Sequence, residues 1–102
     1  VERFYMRFEW DAKKAKQNKT KHDCSFDQAA GVFADQWGLT IFDDDHSAAE
    51  ERWITLGEAS PGEILVVVHT YREYNSMEVV RIISARRATR FEKEQYFSRR
   101  GL

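Results

Sequence analysis

Cations that could hold phosphate crowd the stretch from Arg81 to Arg90, which contains Arg81, Arg86, Arg87 and Arg90. Apolar, β-branched residues over Val79–Ala85 predict a strand. Thr89 followed three residues on by Glu92 predicts a capped helix start. Arg86, Arg87 and Arg90 would then gather where strand becomes helix, and free backbone N–H groups there add partial positive charge. Guanidinium forks match phosphate oxygens two at a time, so the junction is a candidate anion site. Strand alternation puts Arg81 on one face with Val79 and Ile83, and Val80, Ile82 and Ser84 on the other. An arginine between β-branched residues in mid-strand is unusual; its ordinary explanation is a surface ion pair with Glu51 or Glu78.

Other groups could move protons or hold charge. His69 and Arg72 end the apolar run Ile64–Tyr71. An imidazole titrates near neutrality, so His69 is a candidate general acid or base, or else a half-buried histidine bonded to its neighbours. Glu51-Arg52 sits at the start of another strand, where an acid beside an arginine could act as base and phosphate clamp. Lys21-His22 ends a lysine-rich helix and could guide a phosphate. Trp53 reads as core rather than as a platform for stacking bases. Asp43-Asp44-Asp45-His46 lacks the glycine and spacing of a calcium loop, and no His-x-x-x-His or Cys-x-x-Cys pattern occurs, so no metal is expected. Glycine-rich phosphate loops and nucleophile elbows are absent too, so no cofactor is expected.

These residues need a scaffold, and the pattern predicts one in the order βααββββα. Phe4–Trp10 alternates as a first strand, with Phe4, Met6 and Phe8 on one face. Asp11 caps a helix over 12–21, and Ser25 opens a second helix with the apolar stripe Phe26, Ala29, Ala30 and Phe33. Strands follow at Leu39–Asp43, Arg52–Glu58, Ile64–Tyr71 and Val79–Ala85, with turns at Ser60-Pro61-Gly62 and Glu73–Ser76. The last helix runs from Thr89 to about Arg99. Consecutive strands flanked by helices indicate an α+β domain, with an antiparallel sheet of four to five strands and helices mainly on one side. The other face would be open to a ligand.

The chain has 102 residues, which fits a single domain over 1–102. Its net charge is −1, but the charge is segregated. Lys13, Lys14, Lys16, Lys19 and Lys21 occur with no acid over residues 12–22, while Asp43, Asp44, Asp45, Glu50 and Glu51 occur with no Lys or Arg over 43–51. Such separation suits a charged partner better than the total suggests. The longest apolar run, Ile64–Val68, is far short of the roughly 20 residues of a membrane span. Val1–Trp10 has no apolar block of a signal peptide, and Met6 would suit a natural start, with 1–5 an extension. One cysteine, Cys24, fits a reducing cytoplasm and reads as a small buried hydrophobe.

Taken together, certain residues resemble the BrnT toxins. The run Phe8-Glu9-Trp10-Asp11 with Lys14, Ala15, Asn18 and Lys21-His22 is similar to the family's opening. Ser25-Phe26, Ala29 and Val32-Phe33 continue the similarity, as do Glu50-Glu51-Arg52-Trp53, Ile54, Gly57 and the strand Leu65–Arg72. Arg81–Thr89 is the most specific part. The matches span roughly residues 6–97. Where the family usually has Gly after the Lys-His pair, this chain has Asp23, followed by an atypical Cys24.

The resemblance implies a toxin of a type II toxin–antitoxin pair with a RelE-like ribonuclease fold that inhibits translation by cutting RNA. The implied partner is a BrnA-like ribbon-helix-helix antitoxin, through which alone the complex would reach DNA. A metal-free mechanism would use attack of the RNA 2′-hydroxyl on phosphorus. Arg52, Arg81 and Arg86 are candidates to stabilise the phosphorane, with His69 or Glu51 for proton transfer. Lys21, His22, Arg72, Arg87 and Arg90 are candidates for substrate binding. The competing expectation is a non-catalytic nucleic-acid- or protein-binding module using the same basic face. Contact with an acidic antitoxin segment would also use these arginines.

Overall fold

The computed structural model describes residues 6–102. Five strands form one sheet in the order β1-β5-β4-β3-β2: β1 (Met6–Glu9), β2 (Leu39–Phe42), β3 (Trp53–Ser60), β4 (Glu63–Tyr74) and β5 (Met77–Arg87). The helices are α1 (Ala12–His22), α2 (Phe26–Ala29) and α3 (Arg90–Arg100). The expected strand positions Phe4 and Tyr5 lie outside the described residues.

The sheet is mixed, not antiparallel: β2 to β5 pair antiparallel, but β1 runs parallel to β5 at the edge. Parallel neighbours need a long crossover, and most of the chain lies between these two strands. The β4–β5 hairpin is also longer than its sequence pattern implies. It closes on Asn75-Ser76, both with positive φ (49° and 61°), so the turn shrinks to two residues and the strands extend to Tyr74 and Met77.

The helices are divided between the two faces. Cys24, Phe26, Ala29 and Val32 pack on Leu65, Val67, Val80, Ile82 and Ala85. Alternation sends Ile64 and Val66 to the opposite face, where they meet Ala88 and Tyr96, with Ile54, Leu56 and Phe97 alongside. The C-terminal helix α3 thus covers part of the face expected to be open, leaving the rest as a groove. The expected second helix is α for only one turn and tightens to a 3₁₀ turn over Ala30–Ala34. Gly31 allows that close approach, since a Cβ there would lie 2.7 Å from the Ala59 carbonyl oxygen.

Buried polar groups tie the layers together. Asn18, 7% exposed, donates to the carbonyls of Cys24 and Ala85 at 2.9 and 2.8 Å and accepts from the Ala85 N–H at 3.1 Å. It therefore fixes α1 to β5 beside the site. Asp35 accepts from the N–H groups of Glu58 and Trp37 and from the Tyr96 hydroxyl. Burial would raise its carboxyl, but these bonds together hold it below the ordinary value. Burial and the bond to Asp35 push the Tyr96 hydroxyl up to about 12.

Candidate functional site

A bulge in β5 shapes the site. His69 is paired with Ile82 and Val68 with Ser84, so one extra residue, Ile83, enters the strand between them. The step turns Ser84 to the face of Val68, away from that of Val80 and Ile82, which corrects the simple alternation expected for Ser84. It also puts Arg86, the pairing partner of Val66, on the same face as Arg81, the partner of Thr70.

That face contains an open groove of about 540 Å³. Its floor is Ile54, Val66, Val68 and Ile83; its polar rim is His22, Asp43, Asp45, His46, Arg52, Ser84 and Arg86. Of the residues singled out from sequence, His22, Arg52 and Arg86 meet here. His22 arrives as the last residue of α1, whose C-cap, Asp23, takes the left-handed conformation (φ 50°) expected of the family's glycine. Its N–H donates to Lys19 and its carboxylate accepts from the Lys19 ammonium at 2.9 Å, which lowers its pKa. Arg52 enters just before β3. Its Nε is buried with no hydrogen-bond partner among the described residues. A buried guanidinium N–H without an acceptor is costly unless a ligand supplies one.

Arg86 is held by a two-pronged bond to Glu92 at 2.7 and 3.0 Å. Glu92 also accepts from the Thr89 N–H at 2.8 Å, completing the capping box of α3. The Arg86 bond, with burial opposing it, takes the Glu92 carboxyl down to about 2 and raises the Arg86 guanidinium. Arg81 lies further along the face, 4.0 Å from Glu50 rather than from Glu51 or Glu78. Arg72 is beyond it, paired with Glu9 at 3.1 Å.

The remaining candidates stand apart. His69 is fully buried on the opposite face, hydrogen-bonded through Nε2 to Thr55 at 2.7 Å and edge-on to Phe33 and Tyr71. Burial takes its pKa down to about 4. Arg87 also turns away from the groove. It donates to the carbonyls of His22 and Asp23 at 3.3 and 3.0 Å and pairs with Glu63, so it caps α1. Arg90 is almost wholly exposed and pairs with Glu94 one turn on. Lys21 and Glu51 are exposed and do not line the groove.

Asp43, Asp45 and His46, which the sequence brought forward only as a loop unsuited to a metal, also line the groove. A local signal was present, since an aspartate three residues before a histidine can reach its ring in a tight turn. Among the described residues, no three His, Cys, Asp or Glu side chains come together in an arrangement that could hold a metal ion. No helix among them is long and apolar enough to cross a membrane.

A groove combining arginines, imidazoles and a sheet floor suits a polyanion and proton transfer on it. Comparisons with known proteins give the fold and the family. The chain is similar in fold to the crystal structure of the Brucella abortus ribonuclease toxin BrnT, with a TM-score of 0.55 and 20% identity over 84% of this chain and 99% of that one. No curated protein matches it in sequence. The profile of the family described as "Ribonuclease toxin, BrnT, of type II toxin-antitoxin system" matches residues 10–92, which include every residue of the groove. The chain belongs to the BrnT family of ribonuclease toxins of type II toxin–antitoxin systems.

Proposed function

We propose that this chain is a RelE-like endoribonuclease that inhibits translation in the cytoplasm by cutting RNA in the groove, without a metal. The RNA 2′-hydroxyl attacks the adjacent phosphorus, leaving a cyclic phosphate and a free 5′-hydroxyl. Arg52 and Arg86 stabilise the charge that builds on the phosphorane, Arg81 and Arg72 follow the strand beyond it, and His22 contacts a phosphate. The observation that most supports this reading is the buried, unpartnered Nε of Arg52 in the wall of the groove. With a small shift of the side chain, a phosphate oxygen would provide the acceptor that it lacks among the described residues.

A BrnA-like ribbon-helix-helix antitoxin neutralises the toxin by covering the same basic face, and the complex reaches DNA only through that partner. The division of charge supports this role. Induction of the chain alone in cells, with mapping of new RNA 5′ ends, tests the proposal. Growth should stop and cuts should appear; the Arg86→Ala variant should relieve both and Arg81→Ala should relieve them in part. Bound but intact RNA and undisturbed growth would instead indicate a binding module.

A further inference from the structure

We propose that His46 is the general base of the groove and that Asp43 is the residue that positions it. The inference rests on the ribonuclease reading above and supplies the proton acceptor which that reading lacks. His69 is sealed on the other face of the sheet, and Glu51 does not line the groove.

The geometry is that of an oriented imidazole. Nδ1 of His46 lies 3.1 Å from both carboxylate oxygens of Asp43. An ionised carboxylate can only accept, so Nδ1 carries the proton and donates it. In the neutral ring Nε2 then keeps a free lone pair, on a side chain that is 68% exposed. The aspartate is well anchored, only 8% exposed. Its N–H donates to the Arg52 carbonyl at 2.8 Å, and its own carbonyl accepts from the Ser47 hydroxyl. The Ser47 hydroxyl also accepts from the Arg52 N–H at 3.0 Å. The backbone of Arg52 thus fixes the loop that carries the base, while its side chain lines the same groove.

In the proposed step, Nε2 of His46 takes the proton of the 2′-hydroxyl as its oxygen bonds to phosphorus. The bond from phosphorus to the 5′-oxygen then breaks, the electron pair leaves on that oxygen, and it takes a proton from solvent. His46 releases its proton to solvent, so no proton is gained or lost overall. A histidine that is oriented by a carboxylate but open to solvent can do this work; one enclosed by aromatic rings cannot.

The test uses the purified full chain and a short single-stranded RNA of mixed sequence, with rates measured at saturating and subsaturating RNA. His46→Ala should lower kcat about 10²- to 10⁴-fold, with RNA binding little changed. Added imidazole should recover at least part of the lost rate in this variant, a response that a misfolded chain does not give. Asp43→Asn should lower kcat by roughly a factor of ten or more with KM held, since it affects the base and not RNA binding. A wild-type chain that cuts RNA while His46→Ala cuts it equally well overturns the assignment alone. A wild-type chain that leaves the RNA intact overturns the ribonuclease reading and the assignment with it.

Discussion

Acidification should weaken this fold through His69. The ring is fully enclosed, with its centroid 4.7 Å from that of Phe33 and 4.8 Å from that of Tyr71. Burial drives its pKa from 6.5 to about 4. In the unfolded chain the ring takes up a proton as pH falls through about 6.5, while the folded protein resists until about pH 4. Stability from the neutral ring is therefore complete above the unfolded value and is lost progressively as pH falls towards the folded one. A gap of about 2.5 units at about 1.36 kcal/mol each gives a loss of about 3 kcal/mol. For a domain of this size that is a fall of roughly 10–20 °C in Tm. Urea denaturation of the wild type and His69→Gln at several values between about pH 7 and pH 4 isolates the effect, because the carboxylates are common to both chains. The wild type should lose about 3 kcal/mol more than the variant over this range. Parallel stability curves would refute the argument.

Three further substitutions test the scaffold by urea denaturation. Asn18→Ala should cost about 3 kcal/mol, because it leaves the carbonyls of Cys24 and Ala85 and the Ala85 N–H without partners. Tyr96→Phe should cost about 1–2 kcal/mol, since Asp35 loses one donor but keeps two backbone N–H groups. Gly31→Ala should cost roughly 1–3 kcal/mol, because the new Cβ must push back the backbone of Ala59.

Local chemistry was legible in the sequence where neighbours decide the outcome. Asp11, Ser25 and Thr89 cap helices as their spacing implies, each accepting from the N–H three residues on. The β4–β5 pairing follows from apolar runs on either side of a turn. The features that were not legible depend on residues far apart in the chain. The parallel edge of β1, the bulge at Ile83 and the enclosure of His69 by Phe33 all arise only once the sheet is assembled. Without the bulge, Ser84 would face the core rather than the groove. In the sequence the arginines group by their nearness along the chain. The sheet separates them by face, with Arg86 in the groove and Arg87 turned away to the end of α1.

The proposed cleavage depends on Arg52 and the groove it lines. The most direct measurement is cleavage of RNA by the purified chain with a metal chelator present, beside Arg52→Ala, with the chemistry of the product ends determined. Metal-independent cleavage in this groove predicts cyclic phosphate and 5′-hydroxyl ends from the wild type, and a rate lower by about 10²- to 10³-fold in the variant. Intact RNA with the wild type, or equal cleavage by both chains, would contradict it.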